Sequence, residues 1–304
     1  MLSFKNIEQN RQIHLLYSVL ISLFVIVSNI SCTSVAKQGV SNIRSVTIEI
    51  PDLPESLNGY RIAFVADIHF ENRFSSQRFE TLIRAINAQG ADCIILGGDH
   101  TLGTAQIAPF ARHVAALTAP DGVYAVIGNH DFYNGRAESI RTLRTVGIVV
   151  LDETLVITPR GLVIAGINDL RDIYPVMSRF NDILDPEAIT VLASHNPDFA
   201  EEGDLSRFDL VLSGHTHGGQ ITFFGYAPII PSLYGQKYRT GTVFVQETPV
   251  VISNGAGYGG NKPLRFRLFA PSDFLLVTLR PQSPALDREQ ENTAKEPLPR
   301  EVGR

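Results

Sequence analysis

Five short polar clusters carry the side chains that could do chemistry. They are Asp67-Ile68-His69, Gly97-Gly98-Asp99, Gly128-Asn129-His130-Asp131, Ser194-His195-Asn196-Pro197-Asp198 and Gly214-His215-Thr216-His217, and each follows directly on an apolar run. Carboxylate, amide and imidazole donors together suit divalent Mn, Zn, Fe or Co, whereas calcium would want oxygen throughout. The set exceeds what one tetrahedral ion takes, and a carboxylate such as Asp99 can bridge two ions about 3.5–4 Å apart. Such a pair lowers the pKa of a shared water toward about 7 and clamps the oxygens of an in-line displacement at phosphorus. In extended backbone, residues two apart project to one side, about 6.6 Å apart along the chain, so His215 and His217 are assigned to different ions. The two cysteines, Cys32 and Cys93, are too few for a thiolate cage or a disulfide framework.

What must position these clusters is a layered α/β architecture. RIAFVA (61–66), ADCIIL (91–96) and GVYAVI (122–127) read as strands. Helical segments are expected over 75–90, from Thr104 to about Leu117, and around 136–145; in the first, Phe79, Leu82, Ile83 and Ile86 fall at helical spacing and Gly90 ends it. GLVIAG (161–166), AITVLA (188–193), FDLVLS (208–213), TVFVQ (242–246), VVIS (250–253) and FLLVTL (274–279) follow without intervening helices, so that half is expected to be antiparallel or mixed. The carboxyl ends of strands line the ligand crevice in open α/β sheets, so the five clusters should converge. Cys93 falls mid-strand and is expected to be packed.

The motifs D-x-H, G-G-D, G-N-H-D, a later His and G-H-x-H, in this order, resemble the calcineurin-like metallophosphoesterases over about residues 58–280. The forms SHNPD and GHTHGGQ, with an apolar leader before them, are most similar to the bacterial membrane- or envelope-associated branch, some of whose members hydrolyse phosphodiesters of lipids or lipid precursors. The resemblance implies two mixed central β-sheets packed as a sandwich and flanked by helices, an α/β (α+β) fold. It implies a binuclear metal-dependent phosphohydrolase in which a metal-bridging hydroxide attacks phosphorus. Asp67, His69, Asp99 and His217 would hold one ion; Asn129, His195 and His215, with Asp99 again, would hold the second. His130 is implied to stabilise charge on the phosphoryl group and to protonate the leaving oxygen, with Asp131 orienting it.

One departure narrows the substrate. Protein phosphatases of that family continue G-D-x-x-D-R-G, whose arginine grips phosphate, but His100-Thr101-Leu102-Gly103 follows Asp99 here. Arg73 is either a phosphate contact or solvated, His100 either lines the groove or sits beside it, and His113 is expected at the surface. The expected substrate is a phosphodiester of a membrane lipid or cell-envelope component. A phosphomonoesterase and a non-catalytic, metal-stabilised binding module are the alternatives; the latter has no use for His130.

Composition sets the frame. The chain has 304 residues, 44% hydrophobic and 19% charged, enough for one sizeable domain, taken as residues 43–280. A net charge of −5 offers no general basic field, so no nucleic-acid partner is expected. Lys5 and Arg11 precede LLYSVLISLFVIV (15–27), a charge-free run shorter than the roughly 20 residues that span a bilayer. Residues 1–32 are therefore read as a signal peptide or membrane anchor, followed by a linker over 33–42; His14 within the leader carries no chemistry. Ser31 before Cys32 resembles a bacterial lipoprotein site, although Asn29 stands where a branched aliphatic residue is usual. Lipidation at Cys32, simple cleavage and a retained anchor all place the domain in the envelope, outside the cytoplasm. Residues 281–304, rich in Pro, Glu and Arg, read as a disordered tail.

Two further stretches stand out. GAGYGG (255–260) matches G-x-G-x-x-G, but NKPLRFRLF follows it where a dinucleotide site needs a helix, so it is a loop. Its glycines serve either close approach to the metal cluster or an ordinary turn. FFGYAPIIPSLYG (223–235) is apolar and aromatic, and reads as a wall for an acyl chain, a loop that dips into a membrane, or inter-sheet packing.

Overall fold

The computed structural model describes residues 42–71, 76–167, 174–259 and 266–282. The leader, most of the linker, Arg73, Cys32 and the tail from residue 283 lie outside the described residues. In the first sheet Ile43–Ile50 (β1), Arg61–Val65 (β2), Cys93–Leu96 (β3), Val123–Ala125 (β4), Val149–Val150 (β5) and Phe274–Pro281 (β12) stand in the order β1-β12-β2-β3-β4-β5. β2, β3, β4 and β5 are parallel. Helices Ser76–Asn87 (α1), Ile107–Val114 (α2) and Asn129–Thr145 (α3) connect them in turn, as parallel pairing requires. The second sheet contains Thr154–Ile157 (β6), Val163–Ile167 (β7), Thr190–Ser194 (β8), Leu210–Ser213 (β9), Gly241–Val245 (β10) and Thr248–Ile252 (β11), in the order β10-β11-β9-β8-β7-β6.

Alternation along the strands divides the core into three layers. On β2, Ile62 and Phe64 face the other sheet and meet Ile95, Val126, Ile164, Val191 and Val251, while Ala63 and Val65 face the helices and meet Phe79, Ile83 and Phe110. Behind the second sheet, Val163, Leu192 and Val211 pack on Met177, Phe180, Phe199 and Tyr238. Cys93 lies in the inter-sheet layer, where burial pushes its thiol up to about 12, so it is packed rather than reactive. The result is the helix-flanked pair of mixed sheets that the resemblance implies.

The structure departs from the expectations in several places, among them two further strands, β5 and β6. Tyr174–Ile183 (α4) does intervene between β7 and β8, so β7-β8-β9-β11 run parallel and only the edges β6 and β10 are antiparallel. The third helix begins at Asn129, not near 136; Gly135 kinks it with a φ of 131°. β1 completes the first sheet by pairing in parallel with β12, from opposite ends of the chain. β12 also runs one residue past the expected boundary, Pro281 pairing with Ile50. Phe64 is fully buried between the sheets. Phe64→Ala is expected to lower unfolding free energy by about 3–5 kcal/mol, read as a lower denaturant midpoint at an unchanged m-value.

Candidate metal centre

Because β2, β3, β4, β8 and β9 all end on the same side of the sandwich, their terminal residues meet there. The pairing continues beyond the strands: Asp67 N donates to Gly98 O at 3.0 Å, His69 N to Asp99 O at 3.0 Å and Gly214 N to His195 O at 2.9 Å. The ligand atoms fall into groups with every atom within 4.8 Å of the others: Asp67, His69 and His217; Asp99, His195 and His215; and His69, Asp99 and His130. Asn129 and His130, in the first turn of α3, line the cleft above them together with Asp99, His215 and His217. All seven residues expected as ligands are thus brought together.

Their orientation is held from behind. A carbonyl can only accept, so the 2.8 Å contact between His195 Nδ1 and Gly97 O puts the ring proton on Nδ1 and turns a bare Nε2 toward Asp99 Oδ2, 3.3 Å away. Asp67 Oδ2 accepts from His215 N at 2.9 Å, and Asp99 Oδ1 accepts from His130 N at 2.8 Å. What remains points inward. His69 Nε2 lies 3.1 Å from His217 Nε2, His215 Nδ1 lies 3.2 Å from His195 Nε2, and the buried Asp67 Oδ1 has no hydrogen-bond partner. Asp67, His69, Asp99, His215 and His217 all adopt positive φ, between 48° and 68°. Non-glycine residues in that region are strained, and such strain gathers where function needs a fixed geometry.

The charge state fits divalent cations. Burial pushes Asp67 up to about 7 against the pull of His195, while Asp99, despite burial, is held well below the usual range by His195 and His69. Burial lowers His69 to about 4, and His217 well below its ordinary value with the help of His69 and Arg267. His69 and His217 are therefore neutral at pH 7 and able to ligate, and the orphaned Asp67 oxygen faces inward among nitrogen donors.

Residues 60–219 match the family model described as calcineurin-like phosphoesterase, more than half of the chain. The chain belongs to the calcineurin-like phosphoesterase family. It is 30% identical over 276 residues to an uncharacterised metallophosphoesterase of Campylobacter jejuni, covering 86% of this chain and 68% of that protein. An Aquifex aeolicus metallophosphoesterase is 32% identical over 245 residues (78% and 91%), and one from Bacillus subtilis 30% over 249 residues (77% and 84%). Membership in this family makes the chain a metal-dependent phosphoesterase, and the Asp/His cluster is its candidate divalent-metal site.

Several expectations change here. Asp131 acts through the backbone: its buried carboxylate accepts from the backbone N–H groups of His100 (2.9 Å), Thr101 (3.3 Å) and Gly128 (3.2 Å) and lies 2.9 Å from His100 Nδ1. It fastens the loop after β3 to the start of α3 and so holds the backbone that carries Asp99 and His130. His100 sits beside the groove, buried against Phe110, and His113 is half-buried, its ring edge-on to Phe70 and Phe79. The loop 254–259 serves close approach, since a Cβ at Gly259 would run into the His217 ring.

Arg267 went unrecognised in the sequence, where it is one of two arginines alternating with apolar residues. Its buried guanidinium donates to the carbonyls of His217 (2.7 Å) and Gly257 (2.8 and 3.0 Å), with Nη2 3.3 Å from His217 Nδ1. It clamps the His217 loop to the glycine loop. Arg267→Met leaves those carbonyls buried and unpaired, and is expected to cost about 2 kcal/mol or more, seen as a lower melting temperature of the metal-free protein together with weaker metal retention. A metal ion competes with the proton on Asp67, so affinity is full above pH 7 and falls about tenfold per pH unit below it. Calorimetric titrations between pH 5.5 and 8, in buffers of different ionisation enthalpy, measure both the fall and the proton released.

Proposed function

We propose that this phosphoesterase holds two divalent ions and hydrolyses a phosphodiester of a membrane lipid or another cell-envelope component. The cleft over the cluster carries this reading. It has a volume of about 380 Å³ and two unlike walls: Asp99, Asn129, His130, His215 and His217 on one side, and Ile221, Pro228, Ile229 and Pro231 on the other. A phosphoryl group suits the first wall and an alkyl chain the second. Among the described residues that line the cleft there is no lysine or arginine.

Two sets of donors support two ions. Asp67, His69 and His217 would hold one; His195, His215 and Asn129 would hold the other, with Asp99 between them. When bound, such ions acidify a shared water and draw charge from the phosphoryl oxygens. The chain supplies the remainder. The Asn129 amide adds a ligand without negative charge. His130, half-buried in the cleft wall with its ring 4.9 Å from that of His69, stands where a protonated imidazole can donate its proton to the leaving oxygen. Asp131 keeps that segment of α3 in place. The leader supports export and membrane association, so that the substrate and the domain share the envelope.

The purified protein loaded with Mn²⁺ is expected to hydrolyse bis-p-nitrophenyl phosphate faster than p-nitrophenyl phosphate. His130→Ala should lower kcat about 10²–10⁴-fold with bound metal unchanged, whereas Asp99→Ala should lose the metal itself. A metal-loaded wild type inactive on both esters would instead indicate a binding module.

A further inference from the structure

The apolar wall of the cleft continues outward into exposed aromatic and aliphatic side chains. Phe223 and Tyr226 pair across a two-residue turn, each backbone N–H donating to the other's carbonyl at 2.8 and 2.9 Å. The turn residues Phe224 and Gly225 have φ of 50° and 83°, the pattern of a type I′ turn that ordinarily takes Asn or Gly. A phenylalanine there is strained, and Phe224 is also fully exposed. Leu233, further along the same loop, is 84% exposed. The loop is nonetheless tightly fastened: Leu233 N donates to Asp198 Oδ2 at 2.8 Å, Thr222 Oγ1 to Phe269 O at 2.8 Å, and Gln236 bonds the Ala227 backbone. Strained, exposed apolar side chains on an ordered backbone beside a catalytic cleft mark a surface made to meet something apolar.

The path of the chain says what that is. Ile43 pairs with Phe274, and Leu275 pairs with Phe64, three residues before Asp67, so β1 enters the first sheet at the end that carries the metal cluster. Arg44, ion-paired with Asp273 at 2.9 Å, fixes it beside the 253–255 loop. Upstream lies the apolar run 15–27, joined to residue 42 by residues 28–42. Those 15 residues reach at most about 50 Å at roughly 3.3–3.6 Å each. A chain held to a membrane through that run is therefore tethered from the metal-bearing side of the domain.

We propose that the rim formed by Phe223, Phe224, Tyr226, Leu233 and Tyr234 is a docking surface that enters the interface of a lipid bilayer and seats the cleft mouth on it. The proposal deepens the lipid-substrate reading and takes its purpose from it, but it is tested without catalysis. The sequence has no tryptophan, so Phe224→Trp or Leu233→Trp in the full chain places a single indole at the rim. Ile157→Trp serves as the comparison: it is exposed, and its partner Val163 begins β7, at the end of the sheet away from the cluster.

The protein is bound to phosphatidylethanolamine/phosphatidylglycerol vesicles containing phosphatidylcholine brominated on its acyl chains. The expected result is blue-shifted emission and severalfold stronger bromine quenching at positions 224 and 233 than at 157. Equal, weak quenching at all three positions in vesicle-bound protein overturns the proposal. So does a blue shift without bromine quenching, which means burial against a second copy or another protein. Hydrolysis of bis-p-nitrophenyl phosphate by the same samples separates the two readings: quenching without turnover refutes the phosphodiesterase and leaves the docking, and turnover without quenching refutes the docking alone.

Discussion

The structure turns on one arrangement: two buried carboxylates and four imidazoles aimed at a common space at the floor of the cleft. Left to itself this array is unfavourable. Asp67 Oδ1 is orphaned, pairs of ring nitrogens face each other at 3.1 and 3.2 Å, and burial drives His69 and His217 to the neutral form. It persists because everything around it is over-determined. The strand-like backbone bonds, the five residues at positive φ, the Gly97 carbonyl behind His195 and the Arg267 clamp behind His217 leave the side chains nowhere else to go. Divalent cations would satisfy the inward atoms at once. The surrounding sandwich reads as the scaffold that makes such a site rigid before metal arrives.

Sheet topology explains why residues spread from 67 to 217 can share that space. Three clusters come from the ends of β2, β3 and β4 in the first sheet, and two from β8 and β9 in the second. Parallel pairing aligns the strand ends within each sheet, and the inter-sheet layer around Phe64 and Ile164 sets the two edges side by side. α3 starts directly on the cluster, so Asn129 and His130 are positioned by a helix terminus rather than by a free loop.

Much of this was legible in the sequence, for identifiable reasons. Apolar runs ending in Asp, Asn and His announce both the strand and what it delivers, so the five clusters and most central strands could be read directly. Position within a network could not. Asp131 follows His130 in sequence, yet its carboxylate turns to the backbone of residues 100, 101 and 128, contacts that exist only after β3 and β4 pair. Arg267 looks like one of two arginines in an alternating stretch until folding surrounds it with carbonyls. The pairing of β1 with β12 joins chain ends more than 200 residues apart and leaves no local mark. α3 starts before its helical periodicity shows in the sequence, because its first turn is polar and its apolar face begins only after the Gly135 kink.

The central claim, two ions sharing Asp99, is tested most directly by following Mn²⁺ binding with electron paramagnetic resonance. The account predicts two ions per chain, with the second replacing the spectrum of isolated Mn²⁺ by that of an exchange-coupled pair, and with Asp99→Asn abolishing the coupled signal. Saturation at one ion per chain, or two ions whose spectra stay uncoupled, would contradict it.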